Sequence, residues 1–189
     1  MKFRNYTKWG LIILLIAGFG IFLLNIIGKS FIQEIVQEVA IETAEGKVFG
    51  INIGQEAPHW ELLDLDGNTI ILSDFLGKPF ILTFWTTWNS MSADQIKIFD
   101  EYLSQNEKGI FEIVSINNQE DKSIVLNFIQ RGGYQVPVLL DETGKVGELY
   151  KVRTLPITYF LDKDGIVQDV FAGALSQEML TEKVQKIIH

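Results

Sequence analysis

Trp85-Thr86-Thr87-Trp88-Asn89-Ser90-Met91-Ser92-Ala93-Asp94-Gln95 is the stretch on which the reading of this chain turns. Before it, Pro79 to Phe84 is an apolar run broken only by Thr83, the pattern of a buried strand. After it, Ile96 to Leu103 spaces its apolar residues as an amphipathic helix does. A strand that ends in a short polar turn and opens a helix is where many α/β proteins place reactive or binding groups. Asn89 is a favoured residue for capping such a helix. Trp88 is the better candidate for an exposed contact, and Trp85 for core or site wall.

The chain has 189 residues, enough for one domain with a proper core plus appendages. Its formal net charge is -8. Setting aside Lys2, Arg4 and Lys8 leaves 13 basic against 24 acidic residues. A nucleic-acid partner is excluded on that balance, since phosphate binding needs a basic face. There is no cysteine, which removes thiol and cysteine-metal chemistry together.

Between Lys8 and Lys29 lie 20 residues without a charge, from Trp9 to Gly28. As a helix they span about 30 Å, the thickness of a bilayer core. No small-residue cleavage pattern follows, so the expectation is an uncleaved signal anchor at 9–28 behind a cytoplasmic tail at 1–8. Basic residues precede the run, and Glu34, Glu38, Glu42 and Glu45 follow it. This bias places the rest of the chain outside the membrane. Residues 29–50 read as a stalk. Phe31, Ile32, Ile35, Val36 and Val39 share one helical face, as a spacer or as an association surface.

The domain expected at 51–189 opens with strands at Trp60 to Leu65 and Thr69 to Leu72 around the hairpin signal Asp66-Gly67-Asn68. Strands follow at Phe80 to Trp85, Ile110 to Ile116 and Val136 to Asp141, with a helix after the second ended by Gly132-Gly133. Pro156 to Leu161 and Ile166 to Phe171 flank the tight turn Asp162-Lys163-Asp164-Gly165. A last helix runs from Leu175 to Ile188 with Ser176 as its N-cap. The early strands joined by helices must be parallel, and the late pair antiparallel. A mixed sheet with helices on both faces follows.

This order, with these residues, resembles the TlpA/ResA branch of the thioredoxin fold, within the redoxin (AhpC/TSA) superfamily. The similarity rests on several motifs. One is Gly54-x-x-Ala57-Pro58 with Asp66-Gly67. Others are the Trp-x-x-Trp turn, the helix from Asp121 to Arg131, and Pro137-Val138-Leu139-Leu140-Asp141. Tyr150-x-Val152-x-x-Leu155-Pro156-x-Thr158-x-Phe160, Lys163-Asp164-Gly165 and Gly173 complete it. It implies an α/β thioredoxin-like fold with an N-terminal β-hairpin and a central insertion, behind one transmembrane helix. It also implies a cis bond between Leu155 and Pro156.

In the family, the turn carries W-C-x-x-C and exchanges disulfides outside the membrane, often in cytochrome c maturation. Here Asn89 and Ser92 occupy the two cysteine positions, so no catalytic residue is assigned. Gln95 stands where ResA-like members carry a glutamate, and Thr83 where thioredoxins carry a buried aspartate. An amide cannot attack a disulfide, and an unassisted serine hydroxyl is too weakly acidic to replace a thiolate. The implied binding residues are Trp85, Trp88, Asn89, Leu155 and Pro156, lining a groove for a protein or peptide partner. His59 and His189 support neither a Ser92–His pair nor a metal site, and no cofactor is expected. Two further readings stay open: an enzyme with non-thiol chemistry in the same cleft, and a tethered structural subunit that works through its stalk.

Overall fold

Phe80–Trp85 forms strand β3, and all six of its residues are buried. It lies between a parallel neighbour, β4 (Glu112–Asn118), and an antiparallel one, β6 (Ile157–Leu161). These elements belong to a computed structural model that describes residues 49–105 and 110–188. The tail at 1–8, the anchor at 9–28, nearly all of the stalk and His189 lie outside the described residues. Among the described residues no helix is long and apolar enough to cross a membrane.

With β1 (Glu61–Asp64), β2 (Thr69–Ile71), β5 (Val138–Asp141) and β7 (Val167–Ala172), the sheet described has seven strands in the order β2-β1-β5-β4-β3-β6-β7. β1 and β2 form the opening hairpin, followed by a 3-10 turn at Leu72–Phe75. The Asp64 carboxylate closes that hairpin, accepting from the Asp66 and Asn68 amides and from Asn68 Nδ2. Helix α1 (Ser90–Gln105) joins β3 to β4, and α2 (Lys122–Gly132) joins β4 to β5. Both crossovers return parallel. A short helix α3 (Lys145–Leu149) precedes β6. β7 pairs antiparallel with β6, and α4 (Gln177–Ile187) closes the fold.

The period of two along β3 divides the core. Ile81 and Trp85 point to the face covered by α1, α2 and α4, where they meet Ile96, Phe99, Val125 and Val184. Phe80, Leu82 and Phe84 point to the other face, against Trp60, Val146, Tyr150 and Tyr159. There the Tyr150 hydroxyl donates to the Pro58 carbonyl and the Tyr159 hydroxyl to the Tyr150 carbonyl. Burial pushes both phenol pKa values up, that of Tyr159 to about 12.

Most boundaries shift by a residue or two from the sequence reading, and three shifts have a visible cause. α1 begins at Ser90 rather than near Ile96, because Asn89 caps it and brings the polar residues Ser92 and Gln95 into its first turns. β4 runs two residues later than expected, since Asn117 and Asn118 pair with Leu140 and Asp141 of β5. β5 starts at Val138 and not Val136. Asp100 Oδ1 takes the Gln135 and Val136 amides, and Pro137 has no amide to offer. The expected stop at Gly133 is present in the left-handed region, with φ 67°.

Candidate functional site

The carboxyl ends of β3 and β4 lie side by side, with Trp85 opposite Asn117. Residues just past each strand therefore meet at one edge of the sheet. Glu120, buried after β4, accepts from the Thr87 amide at 2.7 Å and from the Thr87 hydroxyl at 2.5 Å. Its Oε2 also accepts from Asn117 Nδ2 at 2.8 Å. This carboxylate fixes the loop between β3 and α1 from behind. Sequence reasoning missed Glu120; the signal was its place directly after a parallel strand next to β3.

With the loop held at Thr87, Trp88 projects outward and is 72 % exposed. Trp85, grouped with the groove residues in the sequence reading, is fully buried, its ring 5.4 Å from that of Phe128. The alternation of β3 turns it toward the helices, so it backs the loop and presents no surface to a ligand.

Asn89 joins two elements. Its Oδ1 accepts from the Ser92 amide at 3.1 Å, the capping contact of α1. Its Nδ2 donates to the Leu155 carbonyl at 3.2 Å. Leu155 precedes a cis proline, Pro156, whose carbonyl accepts from the Gly173 amide at 2.8 Å. Trp88, Asn89, Met91, Arg153, Leu155 and Gly173 line an open groove of about 460 Å³. Of the sequence-designated residues, Trp88, Asn89 and Leu155 line it. Pro156, also expected there, is buried and does not line it. Met91, Arg153 and Gly173 were not singled out as groove residues.

The polar side chains under the start of α1 are neutral. Ser92 is fully buried, and its hydroxyl has no hydrogen-bond partner among the described residues. Gln95 is fully buried, with Oε1 accepting from the Leu175 amide at 2.5 Å. Thr83 pairs with Thr158, hydroxyl to hydroxyl at 3.0 Å, and bonds the Ile157 carbonyl. No base touches Ser92, so nothing there activates it as a nucleophile. His59 lies beside Phe49, exposed, near the opening hairpin. Among the described residues no three His, Asp or Glu side chains group to hold a metal ion.

Residues 53–170 match the model of the AhpC/TSA family. The chain belongs to the AhpC/TSA family. Within it, the chain is 36 % identical over 138 residues to the thiol-disulfide oxidoreductase ResA of Bacillus thuringiensis subsp. konkukian, covering 72 % of this chain and 79 % of that one. It is 30 % identical to ResA of Bacillus subtilis over 189 residues, covering 98 % and 94 %. Solved structures with the same fold include StoA from B. subtilis, at TM-score 0.60 and 22 % identity, covering 67 % of this chain and 96 % of that one. The pneumococcal exposed lipoprotein thioredoxin of Streptococcus pneumoniae gives TM-score 0.61 and 26 % identity, covering 68 % and 99 %. The fold is thioredoxin-like and the relatives are thiol-disulfide oxidoreductases. This family member has no sulfhydryl with which to perform their exchange.

Proposed function

We propose that this family member is inactive as a dithiol oxidoreductase and acts by binding a protein or peptide in the groove between Trp88 and the Leu155-Pro156 loop. The observation that carries this reading is the Asn89 side chain. At the position of the family's first cysteine it offers no nucleophile, and both ends of its amide are engaged, by Ser92 and by Leu155. A largely exposed tryptophan stands beside it. Tryptophan is costly to leave in water and is enriched where binding energy concentrates. An extended chain laid along the loop would resemble strand addition.

The uncharged run at 9–28 and its flanking charges support a single-pass anchor, with the domain outside the cell membrane. Protease added to intact spheroplasts is expected to digest the chain beyond Ile51; full protection would contradict that placement. An enzyme built on Ser92 lacks support, because its hydroxyl is enclosed and has no base. The binding reading is tested by partner capture from position 88 set against position 35 of the stalk.

A further inference from the structure

We infer that the groove selects an extended segment in which a carboxylate side chain stands beside a bulky apolar one. This rests on the groove-binding reading above and names the chemistry of its occupant. Two surfaces meet in the groove. Trp88 and Met91, 72 % and 50 % exposed, form an apolar platform on the α1 side. Across from it, the loop before Pro156 supplies Arg153.

The polar character of that loop is one-sided. Among the described residues, Arg153 makes no hydrogen bond or ion pair; Lys122, Arg131, Lys145 and Lys151 are likewise without a carboxylate partner, but Arg153 is the charged residue that lines the groove. No carboxylate lines the groove. The Thr154 and Leu155 amides have no partner among the described residues. The Leu155 carbonyl is already taken by Asn89. At the residue before the proline the donor is therefore free and the acceptor used. A free guanidinium and free amides, with no anion beside them, complement a carboxylate. A basic segment would meet Arg153 unpaired and the acidic charge only at a distance, so the local field favours an acidic one.

The test uses the detergent-solubilised full chain on an array of acetylated, amidated octapeptides. Their two central residues pair Leu, Phe or Ser with Glu, Gln or Lys. Leu-Glu and Phe-Glu peptides are expected to bind roughly fivefold better than their Gln counterparts, and better still than the Lys ones. Arg153→Glu should shift the preference to Lys, and Trp88→Ala should weaken every peptide that binds. Binding that depends on Trp88 but shows no Glu preference would overturn this inference and leave the groove reading standing. So would a Glu preference that survives Arg153→Glu. Absence of any Trp88-dependent binding would overturn both.

Discussion

Asn89 Nδ2 and the Leu155 carbonyl oxygen lie 3.2 Å apart, so a side chain at the start of α1 is tied to the residue before the cis proline. The same amide caps the helix through Ser92. One residue thus does two structural tasks, and the two can be separated. Asn89→Ala removes both contacts and is expected to cost about 1–2 kcal/mol in denaturant unfolding. Asn89→Asp keeps the cap but cannot donate to Leu155, and should fall between the two. Equal stability of all three proteins would show that neither contact matters.

Glu120 anchors the loop through three accepted hydrogen bonds from Thr87 and Asn117. Glu120→Ala leaves those donors unpaired at a buried site and should destabilise by roughly 2–4 kcal/mol. Trp88 is the tryptophan released by this change, so its fluorescence anisotropy should fall at temperatures where the protein remains folded. An unchanged anisotropy would mean that the loop is held by other contacts.

Alkaline pH should unfold the protein through its buried phenols. The Tyr159 pKa is raised by burial to about 12 from an ordinary value of 10.0, and that of Tyr150 is raised further. The folded state binds these protons more tightly than the unfolded chain does. Their contribution to stability is therefore whole below pH about 10 and declines as pH rises through the folded values. Tyr159→Phe should flatten that decline in melting temperature measured between pH 9 and 12. An unaltered slope would assign the alkaline loss elsewhere.

Restoring the dithiol asks whether the frame survives without its chemistry. With Asn89→Cys and Ser92→Cys, one thiol sits at the cap of α1 and the other in the enclosed position of Ser92. The first should be more acidic than an ordinary thiol, near the helix N-terminus, and the second less so because of burial. An intramolecular disulfide is expected under mild oxidant, with slow insulin reduction. Exchange should be faster when Gln95→Glu supplies an acid beside the pair. Two thiols that stay reduced would mean that the turn lacks the geometry of its relatives. Wild-type protein should show no activity above buffer.

Much of this structure was legible locally. Asp66-Gly67-Asn68 marks the hairpin and Ser176 caps α4 through the Met179 amide, whereas Trp85, expected in the groove, is buried at the end of β3. What escaped depends on register between distant segments. Asn89 meets Leu155 across 66 positions, Thr87 meets Glu120 across 33, and Asp100 takes the amides that would have extended β5. Each contact needs two parallel or crossing elements placed to within a residue, and hydrophobic periodicity leaves that placement open. That Arg153 meets no carboxylate among the described residues is likewise a property of the folded surface, not of its neighbours in sequence.

Where a partner touches the protein separates groove binding from stalk binding. A photo-crosslinking residue placed at position 88, at position 35 in the stalk, and at exposed Ile53 as a control can be activated in intact cells, with adducts resolved by mass. A discrete adduct from position 88, absent at 53 and weak at 35, is the expected result. Loss of that adduct on Arg153→Glu would join it to the groove. A strong adduct from position 35 with none from 88 would contradict the account and assign partner binding to the stalk.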